Sequence, residues 1–184
     1  MDRRHLRFAI ITLIAAATAA CVAGVPNVLP VPAATSFEGY AAHFCSAFDA
    51  MFKAVGNPDT AMGSQLSKAL DSAVAAQDGP AADRLAAQIT AELESGRREV
   101  SAAAGWAPAA AMMTQLDRVF VAFEAMTTAK AAKARGEPDA VDPQAAFEQA
   151  GGVEAWFAMF DAGRAMQAAR PADTPQCANV PVSP

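Results

Sequence analysis

Apolar residues recur at three- and four-residue intervals through most of this chain, the period that gives a helix one buried face. The clearest stripe runs Phe37, Tyr40, Phe44, Phe48, Met51, Phe52 and Val55, and Thr35-Ser36-Phe37-Glu38 before it has capping-box spacing, with Thr35 as the expected cap. Gly56-Asn57-Pro58-Asp59 ends this helix, because Pro58 cannot continue it, and Asp59 is placed to cap the next. A weaker second helix carries Leu66, Leu70 and Val74 up to Asp78-Gly79-Pro80. A third starts near Pro80 with Leu85, Ile89, Leu93 and Val100 on one side; Gly96 falls on the same side, either as a site of close helix approach or as a break after Ser95. Gly105 is the expected terminator.

The pattern resumes after Pro108 with Met112, Leu116, Val119, Phe120, Phe123 and Met126, and Lys130, Lys133, Arg135 and Gly136 mark the end, where cations complement the helix dipole. Asp142-Pro143 starts a short helix through Phe147, and Gly151-Gly152 breaks it. A last helix spans Val153 to Ala169, with Val153, Trp156, Phe157, Phe160 and Met166 as the expected buried side, before Pro171 and Pro175 stop it. No run shows sustained period-two alternation rich in Val, Ile and Thr, so no sheet is expected. Alanine, about a quarter of the residues, favours helices that approach closely. The expected fold is all-α: an up-and-down bundle of four to five helices over residues 35–170, with an irregular tail over 171–184.

The N-terminus departs from this pattern. The run from Phe8 to Ala20 is apolar on all sides and uncharged, and Arg3, Arg4 and Arg7 precede it. A basic n-region, a short apolar core and a small-residue cleavage site make an export signal, here residues 1–20. Thr18-Ala19-Ala20-Cys21 resembles the bacterial lipobox, with Thr18 where that motif usually has Leu. The resemblance implies a diacylglyceryl group on the Cys21 thiol and cleavage before Cys21. Two other outcomes stay open. Cys21-Val22-Ala23 fits an ordinary signal peptidase cutting before Gly24, and the uncharged stretch from Phe8 to Val25 is near the lower limit of about 18 residues for an uncleaved span. Arg3-Arg4-His5-Leu6-Arg7 is also similar to a twin-arginine signal, with Asp2 in place of the usual Ser or Thr. Residues 21–34, with Pro26, Pro30 and Pro32 and no amphipathic period, read as a tether.

The cysteines bear on the same question. There are three, an odd number for an exported chain. If Cys21 carries lipid, Cys45 and Cys177 remain to form a disulfide, which an oxidising compartment preserves. Two unpaired thiols are the alternative, with Cys45 buried as a small apolar residue. Removing Arg3, Arg4, Arg7 and Asp2 with the signal leaves 11 basic and 18 acidic residues, a formal net charge of −7. That balance argues against a nucleic-acid partner, whose phosphates need a basic surface.

Candidate chemistry is sparse. Apart from His5 in the signal, His43 is the only histidine, and no His/Cys spacing typical of zinc or haem attachment occurs. Met112, Met113, Met126, Met159 and Met166 offer thioethers to Cu(I), but their spacing follows the core stripes. Glu137, Asp139 and Asp142 share a loop without EF-hand spacing. A triad would need His43 to meet Ser64 or Ser101 in space. Glu92 and Glu94 point to different sides of a helix, and Arg97-Arg98-Glu99 reads as a salt-bridged surface. Gly151-Gly152 lacks the strand and the Lys of a phosphate loop. No catalytic, metal or cofactor site is expected. The sequence therefore reads as an exported, lipid-anchored cell-envelope protein, attached to the membrane through Cys21 and acting as a non-enzymatic interaction module with an envelope protein as partner. The alternative is a bundle that takes an apolar ligand, a lipid or haem, between its first, fourth and last helices.

Overall fold

In a computed structural model, residues 30–56 and 63–169 are described. Cys21, Asp59, Cys177, the signal and the tail from residue 170 lie outside them. Within Val31–Pro184, one compact unit, the described residues form six α-helices. These are α1 (Phe37–Ala54), α2 (Gln65–Ala75), α3 (Gly79–Ala103), α4 (Ala110–Ala134), α5 (Pro143–Gln149) and α6 (Gly152–Met166), with 3₁₀ turns at Ala107–Ala109 and Gln167–Ala169. Met1–Pro30 is a separate unit, of which only Pro30 is described. The described residues are all-α, with six helices where four to five are expected.

The helices begin where side chains satisfy their free N–H groups. α1 is capped by Ser36 and not by Thr35: Ser36 is extended (φ −137°), and its Oγ accepts from Gly39 N at 3.2 Å. Ser64 caps α2, the role expected of Asp59. The Ser64 hydroxyl accepts from Ser67 N at 2.9 Å and donates to the Ala54 carbonyl at 2.7 Å. One side chain thus closes the end of α1 and the start of α2. Ser64→Ala is expected to destabilise the protein by about 1–2 kcal/mol in urea unfolding, since it removes a cap and leaves a carbonyl unpaired. A change within error would show that solvent replaces both bonds.

Asp78 and Asp142 cap α3 and α5, each just ahead of a Pro in the first turn. Gly136 takes a left-handed conformation (φ 70°) after α4, which a side chain would strain. Gly105 works differently. Its φ is not left-handed; a Cβ there would lie 2.8 Å from both Ala33 Cβ and the Ala34 carbonyl oxygen. The segment before α1 crosses α3 at this point, with Ala34 N donating to Ala102 O at 2.9 Å. Ala34 is buried, so the folded unit includes the end of the expected tether.

α4 lies at the centre, packed on α3, α5 and α6 and more lightly on α2, while α1 lies chiefly on α3. The core joins Ile89, Leu93 and Val100 of α3 to Leu116, Val119 and Phe120 of α4. Gly96 does not break α3, which runs 25 residues without interruption. Phe120 instead fills the space that a side chain at position 96 would occupy. Trp106, in the α3–α4 connection, closes one end by meeting the Phe37 ring edge-on at 5.4 Å and the Tyr40 ring at 5.3 Å.

Candidate functional site

α3 has neighbours on both sides, and the charged run Arg97-Arg98-Glu99 divides between them. Residues two apart on a helix are separated by about 200°, so Arg97 and Glu99 face opposite ways. Arg97 reaches α4, where its Nε donates to Asp117 Oδ1 at 2.8 Å and Nη1 lies 3.6 Å from Glu124 Oε2. Hydrogen bonding to Asp117 raises the Arg97 pKa above its ordinary value despite partial burial, keeping the cation charged. The other Glu124 oxygen, Oε1, is buried without a hydrogen-bond partner among the described residues. Glu99 turns to α1, where its Oε2 lies 2.7 Å from His43 Nδ1, with both side chains mostly buried. His43 and Glu99 lie 56 positions apart, and a cross-helix pair of this kind has no local sequence signal.

A groove of about 650 Å³ opens between the C-terminal half of α3 and the start of α4. Arg97, Arg98 and Arg118 line it with Glu94, Asp117 and Ser101. Cations and carboxylates alternate, so the groove has no strong single sign. Ser101 is on the Arg97 side of α3, one helical turn on, whereas His43 meets the Glu99 side; Ser64 is occupied as a cap. The two serines weighed for a triad are therefore not joined to His43. Glu92 and Glu94 lie two positions apart on α3 at different exposures, and Glu94 alone of the two lines the groove.

The remaining candidates have local structural roles. Met112, Met113, Met159 and Met166 are buried in the core, with Met126 partly buried against it. Asp142 accepts from Gln144 N at 2.9 Å and Ala145 N at 3.2 Å, and Glu137 pairs with Arg135. No group of three or more His, Cys, Asp or Glu suited to a metal occurs among the described residues. Gly151 (φ 77°) makes the turn between α5 and α6, and a side chain on Gly152 would meet the Phe147 ring and Ala122. Cys45 is disulfide-bonded. Cys177, its expected partner, and Cys21 are outside the described residues.

The largest departure from expectation is on α6. Its buried side is Ala155, Met159 and Met166, not the aromatic stripe. Phe157 is 65% exposed, Phe160 44% and Val153 42%, while Trp156 is partly buried and meets Phe160 edge-on at 5.4 Å. Both faces of α6 are apolar, and periodicity alone does not say which turns inward. The smaller face does, because Ala155 permits the approach that Gly152 begins, where a Cβ would lie 2.7 Å from Ala122 Cβ on α4. The larger side chains are left outside. Adjacent exposed aromatics of this kind mark an interaction surface more often than scattered apolar residues do.

No described helix is long and apolar enough to cross a membrane. No protein-family model matches the chain, and no curated protein or solved structure does either.

Proposed function

We propose that this chain is an exported bacterial cell-envelope protein, held at a membrane by lipid on Cys21, whose helical bundle acts as a non-enzymatic interaction module. The observation that carries the module reading is the exposed apolar face of α6: Val153, Phe157 and Phe160 lie outward on a helix whose opposite side is already seated. A solvent-facing aromatic stripe costs solubility, and burial against a partner recovers about 25 cal/mol per Å² of apolar surface.

Export and lipidation are supported by the basic and apolar pattern of residues 3–20, by the small residues before Cys21 and by the odd number of cysteines. The Cys45 disulfide accords with an oxidising compartment. A non-enzymatic role is supported by the division of His43–Glu99 and the Arg97 groove between opposite sides of α3. The apolar-ligand alternative is less favoured, because the described residues of α1 share no extensive interface with α4 or α6 around which such a ligand would sit.

Intact-mass analysis of the protein from its own host tests the anchor. The expected chain starts at Cys21 and carries the added mass of a diacylglyceryl group, and Cys21→Ala moves the protein out of the membrane fraction. A start at Gly24 would retain export and remove the lipid. An intact Met1 would remove the lipid and leave the uncleaved stretch from Phe8 to Val25 as the anchor.

A further inference from the structure

α6 carries two seams of the same spacing, the inner one apolar throughout and the outer one apolar at its first three positions. The inner seam, Ala155, Met159, Ala162 and Met166, steps by four, three and four residues and lies against the rest of the bundle. The outer seam, Val153, Phe157, Phe160 and Arg164, repeats those steps two residues earlier, which rotates it by about 200°. A four-three-four stripe is the spacing along which one helix seats against another. α6 is at the edge of the bundle, lying on α4 with α5 at its start. Trp156 braces the Phe160 ring from one side, so part of the order that docking needs is already present.

The charges along the outer seam select the occupant. Glu154 is exposed at the N-terminal end and Arg164 at the C-terminal end. Their current contacts are loose or local: Glu154 is 3.9 Å from Arg118, and Arg164 pairs with Asp161 three residues before it on the same exposed surface. We propose that this face pairs with the same face of a second copy, the two α6 helices antiparallel across a two-fold axis between Phe157 and Phe160. That arrangement sets Phe157 against Phe160 of the other copy and brings each Glu154 beside the other Arg164. A parallel pair would set Arg164 on Arg164 and Glu154 beside Glu154, and like charges oppose it. A lipid surface is less favoured, since the acidic flanks Glu154 and Asp161 and the formal net charge of −5 of the whole chain repel anionic headgroups.

An isologous contact is self-complementary by symmetry. Two phenylalanines, a valine and the edge of one tryptophan offer a few hundred Å² per copy, the range of weak, reversible association. The inference rests on reading this face as a docking surface and adds the identity of the partner.

Sedimentation equilibrium of the protein purified from its host, in a density-matched detergent above its micelle-forming concentration with micelles in excess over protein so that the acyl chains are covered, tests the pairing. The wild-type weight-average mass is expected to rise towards a dimer with concentration. Glu154→Arg and Arg164→Glu should each weaken association tenfold or more, because each places like charges together. An equimolar mixture of the two variants, and the double variant E154R/R164E, should restore it, and circular dichroism melts should stay unchanged throughout. A monomer at every concentration, or association indifferent to the charge swaps, would overturn the proposal. A photo-crosslinking amino acid at position 157 in living cells separates the two levels of the inference. A link to a second copy supports self-pairing. A link only to another protein, to lipid or to residues 170–184 of the same chain overturns self-pairing but leaves the face as a docking surface, and no link at all removes that reading too.

Discussion

Gly96→Ala is expected to lower the unfolding free energy by about 1–3 kcal/mol, the cost of forcing extra volume into a filled core. The sign is informative, because the same change on an exposed helix stabilises by about 1 kcal/mol. A Cβ at position 96 would lie 2.7 Å from Phe120 Cζ and closer still to Cε1, with Ala50 Cβ at 3.3 Å on its other side. Phe120 has no exposed surface, so its ring has nowhere to retreat without displacing other buried side chains of the core. Phe120→Ala opens a cavity instead and should cost about 3–5 kcal/mol. The double variant G96A/F120A should lose less than the sum of the two, since the new methyl enters the space that the ring leaves, with a coupling of about 0.5–3 kcal/mol. Urea unfolding of the four proteins closes the cycle. A G96A protein as stable as wild type would show that α3 and α4 separate at little cost and that this contact does not define the bundle.

Breaking the Cys45 disulfide is expected to cost about 2–4 kcal/mol, by the chain-entropy account of cross-links that close long loops. Cys45 lies on α1, which packs chiefly on α3 and has little contact with α2, the next helix in the chain. Cys45→Ala and reduction of the wild type should lower the melting temperature by the same amount, and the variant should no longer respond to reductant. Cys177→Ala giving the same loss would identify Cys177 as the partner; Cys21→Ala giving it would assign the bond to Cys21 and remove the lipid from that thiol. A melt indifferent to reductant would mean that the helical contacts alone hold α1.

Much of the secondary structure is legible along the chain because its signals are local. The stripes at Phe37–Val55, Leu85–Val100 and Met112–Met126, and the stops at Gly56, Gly136 and Gly151, each depend on residues within one or two turns. Caps are legible only in kind. Thr35 and Ser36 are both capping residues, and only backbone geometry selects Ser36; Ser64 takes the capping place because the chain from α1 returns where its hydroxyl meets Ala54 O. Trp106 carries no periodic signal, yet it closes an aromatic cluster with Phe37 and Tyr40.

The candidate surfaces show the same division. Gly96 is marked by its place on a stripe, but whether it breaks the helix or admits a neighbour depends on Phe120, 24 positions later in the chain. The His43–Glu99 contact and the Arg97 groove need α1 and α4 on opposite sides of α3, an arrangement set by which helices fit together. For α6, the sequence by itself determined a helix apolar on two faces, because a 3.6-residue period makes Ala155, Met159 and Met166 one line and Val153, Phe157 and Phe160 another. Only the tertiary structure decided which line is buried. Close approach to α4 admits alanine and flexible methionine and excludes two phenylalanine rings, and that steric choice leaves the aromatic face available to a partner.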